Sequence, residues 1–80
     1  MLAADTLAAN NSAEGAVERL TPRQQQVLVR LTAGASNKEI GRDLGLSEIT
    51  VKLHVRAIFR KIGVRNCAEA TAVAIKGGLI

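Results

Sequence analysis

The sequence predicts an all-α domain of four short helices behind a flexible leader, and three observations carry that prediction. Nearly half of the 80 residues are apolar, yet Phe59 is the only aromatic one, so the core must be built from Leu, Val, Ile and Ala. Strands of a sandwich or barrel would be richer in aromatics. Four helix-start signals follow one another from Leu20 onward, and the turns between them are too short to hold a sheet. A chain of this length has room for one core, whose stability margin is thin.

Residues 1–18 are rich in Ala, Asn, Ser and Gly and keep no apolar period. Asn10-Asn11-Ser12 and Gly15 would stop any helix begun at Leu2 or Leu7. They are expected to form a flexible leader or linker, with the folded domain over residues 19–80. Thr21-Pro22-Arg23-Gln24 opens the first helix with an N-cap Thr, Pro at the first helical position and Gln three residues past the cap. Val27, Leu28 and Leu31 form its apolar stripe, and Ala33-Gly34 ends it. Ser36-Asn37-Lys38-Glu39 is a second capping box, leading into Ile40 and Leu44, with Gly45 as the exit. Ser47 caps a third helix over residues 48–62, where Val51, Val55, Ile58, Phe59 and Ile62 keep strict helical spacing. Asn66 opens a fourth helix over residues 67–76, closed by Gly77-Gly78.

The formal charge of +4 is unevenly spread. Residues 21–65 hold nine Lys or Arg against Glu39, Asp43 and Glu48, a surplus of six. Such a concentration is the electrostatic footprint of a nucleic-acid partner. Lys52, Arg56 and Arg60 recur at i, i+4 and i+8 on the third helix, opposite its apolar stripe, with His54 and Lys61 on the flanks. Helices two and three are joined by Gly45-Leu46-Ser47 alone, which is the length and composition of a helix-turn-helix turn. Leu46 is expected to plug into the core between them. A fifteen-residue helix is a rod of about 22 Å, which the major groove of B-DNA, about 12 Å wide, admits. Ser36, Asn37 and Lys38 gather at the start of helix two, where an anion is favoured. Thr50 stands in the first turn of helix three.

Leu20-Thr21-Pro22-Arg23-Gln24, Gly34-Ala35-Ser36-Asn37-Lys38-Glu39-Ile40 and Leu46-Ser47-Glu48-Ile49-Thr50-Val51-Lys52-Leu53-His54-Val55 together resemble the LuxR/FixJ (NarL)-type helix-turn-helix of bacterial transcription and response regulators. Lys61-Ile62-Gly63-Val64 and Ala68-Glu69-Ala70 continue the likeness, which covers about residues 19–78. The resemblance implies sequence-specific binding of double-stranded DNA for transcription regulation, with helix 48–62 in the major groove. It places Lys52, Leu53 and Arg56 against the bases, and Asn37, Lys38, Thr50 and Lys61 near phosphates, which Arg60 joins from its place on the basic face. It also implies an output domain behind a two-component-type or ligand-sensing domain. The partners it suggests are RNA polymerase and a second copy of the chain, paired through the fourth helix at Ala70, Val73 and Ala74. Three positions depart from the family's habit: Gln24 stands where Glu is usual, Gly41 replaces the usual Ala inside helix two, and Leu53 is bulkier than many residues at its place and suits thymine methyl groups.

Other function classes fit less well. One His, one Cys and scattered carboxylates make no catalytic triad, metal set or phosphate-cradling loop, so neither enzyme activity nor a cofactor is expected. Cys67 has no internal disulfide partner. The first residues lack a signal peptide's basic start and apolar run, and no stretch is long enough to span a membrane. The chain therefore reads as soluble and cytoplasmic. The last DNA-binding region of a bacterial sigma factor shares the Leu-Thr-Pro-Arg opening, but such regions end soon after the recognition helix. A protein-interaction module docking through helix 67–76 is the rival from another class; it would be sensitive at Val73 and Ile75 rather than at Lys52 and Arg56.

Overall fold

The computed structural model describes residues 16–80. Four α-helices follow a single 3-10 turn at Val17–Arg19: α1 (Pro22–Thr32), α2 (Asn37–Leu44), α3 (Glu48–Ile62) and α4 (Cys67–Lys76). No strand occurs among the described residues. All four helix starts fall where the capping residues placed them. Thr21 and Ser36 each accept from the backbone N–H three residues on, and Gln24 and Glu39 return the bond to the cap N–H. Ser47 and Asn66 cap α3 and α4 by accepting from the Thr50 and Glu69 N–H groups, without a returned bond. Each cap satisfies a donor that the helix itself leaves orphaned.

The core is aliphatic throughout. Val27 and Leu28 of α1, Ile40 of α2, Val51 and Ile58 of α3 and Ala70 and Ala74 of α4 are completely enclosed. Phe59, Val55, Leu44 and Leu46 pack around their edge. α1 and α3 each pack against all three other helices, so the basic helix is held along its length. Leu46 sits half-buried in the turn and its N–H donates to the Gly41 carbonyl at 2.8 Å.

Gly41 owes its identity to that turn. A methyl group there would run into the Leu46 carbonyl oxygen, so glycine's helix-propensity cost of roughly 0.5–1 kcal/mol is exchanged for a close α2–turn contact. Gly45 then reverses the chain at φ +72°, a left-handed conformation that side chains resist.

The structure differs from the sequence reading at both ends of the domain. Packing begins at Ala16 rather than at residue 19: Ala16 and Val17 are 0% and 5% exposed. Gln25 donates to the Val17 carbonyl at 3.2 Å, and Val17 lies against Gly77, where an added Cβ would meet its Cγ2. The rest of the leader expected over residues 1–18 lies outside the described residues. On α4, Ala70 and Ala74, expected at a dimer face, are both 0% exposed and close the monomer core. The face that α4 turns to solvent carries Ala68, Ala72 and Ile75, with Val73 half-buried at its side.

Candidate nucleic-acid interface

The side of α3 away from the core forms a continuous ridge. Val51, Ile58 and Ile62 are buried, and at 3.6 residues per turn the opposite line runs through Ile49, Leu53, Arg56 and Arg60. All four are exposed, with Lys52 beside them. Ser47 holds the start of this helix: its Oγ accepts from the Thr50 N–H at 3.1 Å and donates to Thr50 Oγ1 at 2.9 Å. Thr50 is therefore part of the cap. His54 is half-buried on the helix flank.

α2 adds its N-terminus to the same surface. Asn37, the first residue of α2, shares a shallow depression of about 260 Å³ with Lys52, Val55, Arg56 and Phe59 of α3. Lys38 is exposed next to it. The fold thus brings together Asn37, Lys52 and Arg56, which are separated in sequence by the whole of α2 and the turn. Among the described residues the one ion pair is Arg30–Asp43, at 3.7 Å between α1 and α2. The cations of the ridge accordingly carry charge that no neighbouring carboxylate offsets. An uncompensated cationic surface beside a helix N-terminus attracts polyanions, and attracts them at range.

Lys61 is placed differently from the other expected phosphate contacts. Its ammonium donates to Gln24 Oε1 at 3.1 Å and to the Arg19 carbonyl at 3.3 Å. Gln24 Oε1 accepts the Thr21 N–H as well, at 3.0 Å. Lys61 thereby ties the end of α3 to the start of α1, and a phosphate would compete with two acceptors already in place. Ile49, by contrast, carries no signal of its own in the sequence, where the first turn of α3 reads mainly as a cap. At 71% it is the most exposed large apolar side chain among the described residues, and Leu53 and Ile75 follow at 58%.

No three His, Cys, Asp or Glu side chains among the described residues gather as a metal site requires. No helix of the described residues is long and apolar enough to cross a membrane.

Comparison with known proteins agrees with this arrangement. The family described as "Bacterial regulatory proteins, luxR family" matches residues 18–74. That match runs into α4, the helix a sigma-factor region would lack. The probable csgAB operon transcriptional regulatory protein of Salmonella typhimurium is 47% identical over 64 residues, which cover 80% of this chain and 29% of that protein. The glycerol metabolism activator of Pseudomonas putida is 48% identical over 54 residues, 68% of this chain and 24% of the relative. The nitrate/nitrite response regulator NarL of Escherichia coli is 37% identical over 70 residues, 88% of this chain and 32% of the relative. The chain thus spans between 24% and 32% of the length of these relatives. With its match running from the turn before α1 into α4, the chain belongs to the luxR family of bacterial regulatory proteins and is a LuxR-type helix-turn-helix, a DNA-binding unit of transcription regulators.

Proposed function

We propose that this chain is the sequence-reading output domain of a bacterial regulator and that it binds its operator as a dimer. The observation that carries the proposal is the exposed ridge of α3, whose cations are free of carboxylate partners among the described residues. α3 enters the major groove with Lys52, Leu53 and Arg56 toward base edges. Arg56 suits the bidentate O6/N7 edge of guanine, and Lys52 the same acceptors as a point charge. Asn37, Lys38, Thr50 and Arg60 take phosphates on either side and so set the register without reading sequence. Lys61 contributes mainly by bracing α3 against Gln24 and Arg19.

The second copy pairs through the solvent face of α4, Ala68, Ala72 and Ile75. Small side chains there allow two helices to approach closely, and Ile75 is 58% exposed in the single chain. Two copies then present α3 to half-sites about one DNA turn apart. An upstream domain, of the receiver type suggested by relatives named as response regulators or of a ligand-sensing type, controls pairing or access to α3. Contact with RNA polymerase follows on the promoter, in the cytoplasm.

Selection of random duplexes on the purified chain tests the reading, with salt titration of the winners and a Lys52→Ala/Arg56→Ala control. Enrichment of a two-fold-related motif that the double variant no longer binds is expected. Binding with no enriched motif, or equal binding by the double variant, overturns it and turns attention to α4 as a protein-docking helix.

A further inference from the structure

We infer that Ile49 and Leu53 act together as a thymine reader, a pair of aliphatic side chains that recognises the 5-methyl groups of neighbouring thymines. This inference rests on the DNA-binding reading of α3 and adds to it a residue, Ile49, outside the family-derived base contacts. Among the described residues only four large apolar side chains are strongly exposed, and two of them, Ile49 and Leu53, lie on the α3 ridge. Their i, i+4 spacing stacks them one turn apart, with side chains roughly 5–6 Å from each other. Arg56 and Arg60 continue the same line, so the apolar pair occupies the N-terminal half of the ridge and the cations the C-terminal half.

A surface that bound phosphates alone would gain little from aliphatic groups there, because phosphate oxygens offer them no partner. A free solvated helix face would carry polar residues in that place. Of the features that base pairs present in the major groove, the thymine methyl is the apolar one. It stands among hydrogen-bonding groups that Lys52 and Arg56 satisfy. The charge around the pair brings the polyanion to it, and the methyl gives it something to bury. Each buried methyl is worth about fourfold in affinity. Ile49 also projects from the first turn of α3, so it reaches a base pair adjacent to the one that Leu53 meets.

The test replaces single thymines by deoxyuridine in the duplex selected by the wild-type chain, removing one methyl at a time, and measures affinity at fixed salt for wild type, Ile49→Ser and Leu53→Ser. Two thymines per half-site should each lose about fourfold in the wild type. One of these losses should vanish in Ile49→Ser and the other in Leu53→Ser, while Ile49→Val keeps most of the first. Circular dichroism checks that each variant is folded, which the 71% exposure of Ile49 leads one to expect. Equal deoxyuridine losses in wild type and Ile49→Ser, or no methyl sensitivity anywhere, overturn the inference while the motif and the Lys52/Arg56 dependence stand. Failure of the selection itself removes the DNA reading and this inference with it.

Discussion

Gln24→Glu places a carboxylate at a position where the structure shows what a charge would meet. Gln24 is 8% exposed, and its Oε1 accepts from the Thr21 N–H and the Lys61 ammonium. At the 3.1 Å of the Lys61 bond, Coulomb's law gives about 1 kcal/mol in water and about 5 kcal/mol at an effective permittivity of 20. Taking the carboxylate out of water costs several kcal/mol, so the upper figure is largely cancelled. Lys61 is exposed, which pulls the net gain toward that of a surface pair. The third helical position adds roughly 0.3–1 kcal/mol from the helix dipole. The balance is a stabilisation of about 1 kcal/mol, which raises the Tm of a domain this small by about 5 °C.

The sign with pH follows from the partners. Lys61 and the helix N-terminus hold the folded carboxyl below the unfolded glutamate value of about 4.3. The added stability is therefore present above that value and lost as pH falls through the folded one. Thermal melts of wild type, Gln24→Glu, Lys61→Met and the double variant at pH 7 and about pH 2.5 read the whole cycle. A gain that persists in acid, or that is undiminished in the Lys61→Met background, would refute the reasoning.

Gly41→Ala should lower the Tm by several degrees, since a collision with the Leu46 carbonyl costs about 1–3 kcal/mol against a propensity gain of at most about 1; a raised Tm would show that the turn yields freely. A chain beginning at residue 19 should be less stable than one beginning at residue 16 by about 2–3 kcal/mol in urea melts, because it loses the burial of Ala16 and Val17 and one of the two carbonyls to which Gln25 donates. Lys38→Ala should reduce the slope of log affinity against log salt by about one, whereas Lys61→Ala should leave it nearly unchanged and lower the Tm instead. Ala74→Arg should unfold the monomer, while Ala72→Arg should keep its melting behaviour and abolish paired binding on a two-half-site duplex, as read by sedimentation of the complex.

The parts of the fold legible in the sequence are those set by local chemistry. Thr21-Pro22, Ser36, Ser47 and Asn66 announce helix starts because each side chain bonds a backbone N–H only three residues away. The inward stripe of α3 is legible because bulky aliphatics alternate with Lys and Arg around the helix. α4 offers no such contrast. Alanine stands on both of its faces, so sequence alone does not separate the buried Ala70 and Ala74 from the exposed Ala68 and Ala72. Val17 and Lys61 were unreadable for another reason: their partners, Gly77 and Arg19, lie far along the chain. A lysine's charge reads the same whether it faces a phosphate or a carbonyl. Leu53 was visible through the family likeness, but Ile49 acquires meaning only once the ridge it shares is seen.

Because α1 and α3 each touch every other helix, no helix can leave without uncovering one of them. The consequence is thermodynamic unity: apart from the frayed ends, amide hydrogens in all four helices should exchange through one common opening, with protection that rises and falls together. α3 then has no private flexibility. Its geometry is as stable as the whole domain, and a ligand or partner that stiffens α1 protects the amides of α3 to the same degree.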